Sequence, residues 1–158
     1  MMEIERKYLV ETPPKHYAAC PFRRIEQGYL CTDPVVRVRR DDQDYYLTYK
    51  GKGLLSREEY NLPLTGDAYA HLIAKADGIV LKKLRYEIPY EARDAQGALR
   101  TYTIEMDVFE GAYEGLILAE VEFETEADAL AFVPPSWFGR DVTFTGEFQN
   151  SRLSSRKN

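Results

Sequence analysis

A chain of 158 residues is long enough to bury a core without disulfides or a structural metal, and reads as one domain over residues 1–158. Its 44% apolar and 30% charged composition excludes wholesale disorder, and a net charge of −5 excludes a general electrostatic footprint for nucleic acid, though not a local basic cavity. Two cysteines, Cys20 and Cys31, and two histidines, His16 and His71, offer neither a disulfide framework nor zinc-ligand spacing, and no apolar run or leader pattern points to a membrane, so a cytoplasmic protein is expected.

Residues 2–10, MEIERKYLV, alternate as a strand should, with Glu3, Glu5 and Lys7 on one face and Ile4, Arg6 and Tyr8 on the other. Arg6 falls on the apolar side, where it is expected to reach solvent or an acidic partner. A short turn or helix is expected over 13–19, after Pro13 and Pro14. Strands are then expected over 23–31, 34–40 and 44–50. In these, VVRVRR sets Arg37 and Arg39 against Val36 and Val38, and Lys50 lies in register with Thr48. GKG at 51–53 reads as a hairpin turn, and no phosphate-binding G-x-x-x-x-G-K-[ST] occurs. The run 56–63 aligns Arg57, Glu59 and Asn61. Ala and Leu at helical spacing predict a helix over 67–76, ending at Gly78. Three more strands follow: 79–90 with Lys83, Arg85 and Glu87 aligned, 98–109 with Thr103, Glu105 and Asp107, and 116–124 with Glu120, Glu122 and Glu124. A helix over 126–132 is stopped by Pro134 and Pro135, Trp137 packs beneath a turn, and the tail from Glu147 is a further helical candidate. The fold class is therefore α+β and mostly β, with eight antiparallel strands and a few flanking helices. Such strands can close a barrel or form a two-sheet sandwich.

A wet sheet face is the ordinary reason for alternating charge. Here, however, some strands carry Arg and Lys runs and others paired carboxylates. Two carboxylates at i and i+2 on a strand lie roughly 6–7 Å apart, which costs about 2–3 kcal/mol at an effective dielectric of 20. Such pairs at Glu3/Glu5 and Glu120/Glu122 are understandable if a hard cation such as Mg²⁺ or Mn²⁺ lies between them. Lys7, Arg37, Arg39, Lys50, Arg57, Lys83 and Arg85 would then meet a polyanion, and a triphosphate carries about four negative charges near neutral pH.

The Glu3-Ile4-Glu5-Arg6-Lys7 signature E-x-E-x-K resembles that of the CYTH superfamily, the triphosphate tunnel metalloenzymes. QGYL at 27–30, RVR at 37–39, TYK at 48–50, SREEY at 56–60, KLRY at 83–86, EMDVFEG at 105–111 and EVEF at 120–123 continue the resemblance over nearly the whole chain. It implies an eight-stranded antiparallel tunnel that binds a triphosphate and a divalent metal inside. Members include inorganic triphosphatases, thiamine triphosphatases and class IV adenylate cyclases. It implies metal ligands at Glu3, Glu5, Glu120 and Glu122, acid groups nearby at Asp107 or Glu59, and polyphosphate contacts at the seven basic residues. Two departures stand out: Asn61 replaces the second glutamate of an E-x-E, and Glu147 and Phe148 stand where the tail usually carries a basic residue and Tyr.

The expected activity is Mg²⁺- or Mn²⁺-assisted hydrolysis of a linear triphosphate, preferentially inorganic tripolyphosphate, to pyrophosphate and phosphate. Glu59, Asp107 or a metal-bound glutamate could accept the water's proton. Tyr29 and Lys83 form a second candidate pair, since a lysine among arginines has its pKa lowered and could activate a tyrosine or a water; the plain alternative is packing for Tyr29 and phosphate binding for Lys83. Two rival functions stay open, an adenylate cyclase acting on ATP and a non-catalytic polyphosphate- or nucleotide-binding module. Thiamine triphosphate is a further substrate to compare, no nucleic-acid or membrane partner is expected, and a homodimer is compatible with the sequence.

Overall fold

Met2–Leu9 (β1) hydrogen-bonds to strands on both of its edges, and this closes the sheet. The structure, a computed structural model, describes residues 1–156. The other strands are Phe22–Thr32 (β2), Val35–Asp41 (β3), Asp44–Lys50 (β4), Ser56–Pro63 (β5), Asp77–Arg93 (β6), Leu99–Glu110 (β7) and Ile117–Glu122 (β8). All pairs are antiparallel, in the order β1-β5-β4-β3-β2-β6-β7-β8 and back to β1. A barrel, not a sandwich, is formed, and no sheet edge is left to be covered.

The helices are short: Gly66–Ile73 (α1), Glu126–Ala131 (α2) and Asn150–Ser155 (α3). Thr65 and Thr125 cap the first two by accepting from the amides of Ala68 and Asp128. The helix expected over 67–76 gives way earlier because β6 already begins at Asp77. The segment after Pro13–Pro14 forms one 3-10 turn, Tyr17–Ala19. Among the described residues no helix is long and apolar enough to cross a membrane.

Because the strands put their charges inward, much of the apolar core lies outside the barrel. Tyr8, Ile104, Ala119 and Val121 on the outer faces of β1, β7 and β8 pack with Phe123, Ala129 and Phe132, and Trp137 and Phe138 lie against them. Arg6 shares this outer face and finds an acidic partner, donating to Asp141 at 2.6 Å and to the Ala129 carbonyl at 2.7 Å. A second cluster fills one end of the barrel interior, where Tyr29, Leu81, Phe109 and Leu118 meet Leu153 of α3. Full burial of Leu153 alone is worth about 1.5–3 kcal/mol. Gly78, with φ +68°, lets α3 seat there: a Cβ would stand 2.1 Å from the Ser154 carbonyl oxygen. Tyr113 fastens the same turn by donating to the Leu153 carbonyl at 2.5 Å. The tail thus closes one end of the barrel, with Phe148 in the apolar packing and its carbonyl accepting from Lys7 Nζ.

Candidate active site

The charged part of the interior is a cavity of about 370 Å³. Strand alternation brings Glu3, Glu5 and Lys7 of β1, Tyr29 of β2, Arg37 and Arg39 of β3, Lys50 of β4 and Arg57 and Glu59 of β5 to its wall. Arg85 of β6 and Glu120 and Glu122 of β8 complete the set. Lys83 and Asp107, expected at the same face, do not reach the cavity.

The two are buried behind the wall. Lys83 Nζ stands 2.7 Å from Asp107, and Arg85 grips Asp107 with a fork of 2.7 and 2.9 Å. Burial lowers the Lys83 ammonium to about 7 against the pull of Asp107, with Arg85 and Arg39 adding to the fall. Against burial, Arg85 and Lys83 hold Asp107 below the usual carboxylate range. Both Asp107 oxygens are thus engaged by Arg85 and Lys83, and neither Asp107 nor Lys83 lines the cavity. Nor are Tyr29 and Lys83 joined: the Lys83 ammonium goes to Asp107 and to Asn150 Oδ1 at 3.2 Å, and the Tyr29 hydroxyl goes to Gln27.

The carboxylates divide sharply. Glu120 lies 3.4 Å from Lys7 and 3.7 Å from Arg85, and against burial these cations hold it well below the usual range. Glu5 sits directly opposite Glu122 across the β1–β8 ladder, an arrangement of like charges that destabilises a sheet. One oxygen each of Glu3, Glu5 and Glu122 can lie within 4.8 Å of the others. Among the described residues no Lys or Arg ion-pairs with Glu5 or Glu122. Burial, then Glu120 and Glu3, push Glu5 well above the carboxylate range; burial and Glu105 raise Glu122. Burial and the adjacent Glu59 raise Glu3 to about 7. Glu59 moves the other way. Against burial, Glu3, Lys50 and Asn61 draw it down to about 2. Three carboxylates with too little positive charge among them fit a hard divalent cation by donor type and by charge.

The cationic side is unbalanced in the opposite sense. Arg37, Arg39 and Arg57 make no ion pair among the described residues, bonding instead to Thr48 Oγ1, Gln27 Oε1 and the Gly51 carbonyl. Among the described residues, nothing hydrogen-bonds to the buried Arg37 Nε. Burial, then Arg37 and Arg85, lower Arg39 to about 9, so it is still charged at neutral pH. Lys50 bridges the two sides, 2.8 Å from Glu3 and 3.4 Å from Glu59. Asn61 donates to Glu59 at 2.8 Å and accepts from Thr48 at 2.6 Å, so the departure from a second glutamate adds a donor to Glu59 instead of another like charge.

Thr48, Glu105, Gln149 and Asn150 also line the cavity and were not assigned roles from sequence; Gln27 lies just behind it. For Thr48 and Gln27 the signal was their period-2 spacing from Lys50 and Tyr29. Nothing local marks Asn150, which the tail delivers.

The CYTH domain model matches residues 1–154. An inorganic triphosphatase of Nitrosomonas europaea is 39% identical over 158 residues, covering 98% of this chain and 97% of the relative. An inorganic triphosphatase of Acetivibrio thermocellus is 36% identical over 155 residues, covering 96% and 92%. A solved structure of an inorganic triphosphatase superposes with a TM-score of 0.67 at 33% identity, over 98% of this chain and 95% of that one.

Proposed function

This chain belongs to the CYTH family, and from that premise we propose that it is an inorganic triphosphatase, cleaving tripolyphosphate to pyrophosphate and phosphate with Mg²⁺ or Mn²⁺. The observation that carries the reading is a cavity inside the barrel with Glu3, Glu5 and Glu122 short of positive charge and Arg37, Arg39 and Arg57 short of negative charge. Only a polyanion together with a cation relieves both. A polyanion alone would aggravate the carboxylates, and a cation alone would aggravate the arginines.

Glu3, Glu5 and Glu122 would hold the metal, with Glu120 beside them already neutralised by Lys7 and Arg85. The bound ion would neutralise phosphate charge and act as a Lewis acid. Arg37, Arg39, Arg57, Arg85, Lys7 and Lys50 bind the phosphate oxygens and stabilise charge on the transferred phosphoryl and the departing pyrophosphate. Water attacks the terminal phosphorus, the bridging P–O bond breaks with its electron pair leaving on pyrophosphate, and the water's proton passes to a phosphate oxygen of the products. Glu59, ionised and facing the cavity, orients the water. Lys83 and Asp107 act one layer back, holding the Arg85 guanidinium in place.

A product assay on tripolyphosphate, ATP and thiamine triphosphate in parallel, each with Mg²⁺ or Mn²⁺, tests this. Phosphate and pyrophosphate from tripolyphosphate are expected in preference to turnover of the other two. Cyclic AMP from ATP would replace the reading by a cyclase, and no turnover of any substrate would replace it by a binding module.

A further inference from the structure

Gln27 is wholly buried, does not line the cavity, and yet touches two residues that do. Arg39 Nε donates to Gln27 Oε1 at 2.9 Å, and Gln27 Nε2 donates to the Tyr29 hydroxyl oxygen at 3.1 Å. An amide's oxygen and nitrogen are usually assigned by network alone, but a guanidinium Nε can only donate. The amide oxygen must therefore face Arg39, and the NH₂ must face Tyr29. In that bond the phenol oxygen is the acceptor. Its own O–H proton has no partner among the described residues, and Tyr29 lines the cavity. Because Tyr29 lines the cavity, that proton is free to point to an oxygen there, and a bound ligand can supply it.

We infer that Gln27 is a positioning residue: its single amide fixes the Arg39 guanidinium and turns the Tyr29 hydroxyl into a donor aimed at a phosphate oxygen. The inference rests on the proposal that a triphosphate occupies this cavity. The cross-strand register makes the coupling stiff, since Gln27 pairs with Arg39 and Tyr29 with Arg37 on β3. Tyr29 then needs no partner base, in keeping with its separation from Lys83.

Gln27→Glu separates positioning from packing. A carboxylate keeps the Arg39 contact and the side-chain volume, but it can only accept, so it captures the Tyr29 proton and turns the phenol's lone pairs to the cavity. Three measurements decide the matter. In the tyrosine Fermi doublet of ultraviolet resonance Raman difference spectra, taken against Tyr29→Phe without ligand, Tyr29 should read as an acceptor in the wild-type protein and as a donor in Gln27→Glu. In titration calorimetry with Mg²⁺ and a non-hydrolysable imido analogue of tripolyphosphate, Gln27→Glu and Tyr29→Phe should each weaken binding roughly ten- to a hundredfold, with unchanged melting temperature for Gln27→Glu. Adding Tyr29→Phe to Gln27→Glu should cause no further loss, because the phenol there no longer donates to the ligand. An unchanged doublet, wild-type binding by Gln27→Glu, or multiplying losses in the double variant would each overturn the assignment. The doublet is independent of turnover, so a failure of the triphosphatase reading, seen as no phosphate release by the wild-type protein, is told apart from a failure here.

Discussion

Two charged clusters built from the same residue types stand within one barrel and end in opposite states. Behind the wall, the Asp107 oxygens are taken up by Arg85 and Lys83, and neither Asp107 nor Lys83 reaches the cavity to meet a ligand. At the wall, Glu5 faces Glu122, and among the described residues no Lys or Arg pairs with either and no acceptor meets the buried Arg37 Nε. Self-satisfied ionic clusters hold structure, whereas clusters that stay unbalanced within the chain mark where a ligand supplies the missing charge.

Removing one charge from each cluster tests that contrast most severely. Asp107→Asn leaves Lys83 buried without its counter-ion and takes from Arg85 its closest one, and should cost about 3–5 kcal/mol of stability. At roughly 2–4 °C per kcal/mol for a chain of this size, the melting temperature should fall by about 6–20 °C in calorimetry. Normal melting with abolished turnover would instead put Asp107 in the chemistry. Glu5→Gln should do the reverse. It relieves repulsion, so the protein should melt no lower than wild type while metal-dependent phosphate release drops by at least about a hundredfold. Unchanged turnover would sink the metal-ligand role.

Arg37→Ala removes an unbalanced cation and should cost roughly ten- to a hundredfold in kcat/KM for tripolyphosphate, the range for a hydrogen bond to a charged group. Its stability should hold or rise; a fall comparable to that of Asp107→Asn would show the two clusters to be alike.

The smallest expected effect lies outside the barrel, at the part-exposed Arg6–Asp141 pair. Against burial, hydrogen bonds from Thr143 and Arg6 lower the Asp141 pKa. The folded value lies below the unfolded one, so the stabilisation is fully present above the ordinary aspartate pKa of about 3.9 and is lost as pH falls through the folded value. Asp141→Asn should lower stability near neutral pH by about 1 kcal/mol or less, with the difference vanishing in acid melts. A difference that persists at low pH would remove the ion pair from the account.

Period-2 alternation made the strands and their charged faces legible, because a pleat sends successive side chains to opposite sides whatever the tertiary fold. It exposed Glu3/Glu5/Lys7, Arg37/Arg39 and Glu120/Glu122 as shared faces. It could not distinguish Glu120 from Glu122. Their fates differ only through the β1–β8 register, which sets Lys7 against Glu120 and Glu5 against Glu122 across more than a hundred residues of chain. The same limit hid the β6–β7 pairing of Arg85 with Asp107, which withdraws an expected acid from the cavity.

From the sequence alone follow the strand periodicity, the inward face of nearly every strand, the family resemblance and the acid-and-base composition of the site, all carried by local spacing. Tertiary structure decided which charges neutralise one another, that the sheet closes, that the tail brings Asn150 to one end of the cavity, and that Gln27 joins Arg39 to Tyr29. Those outcomes depend on distances between residues far apart in the chain, and Coulomb and hydrogen-bond energies are set by distance and burial, not by residue type.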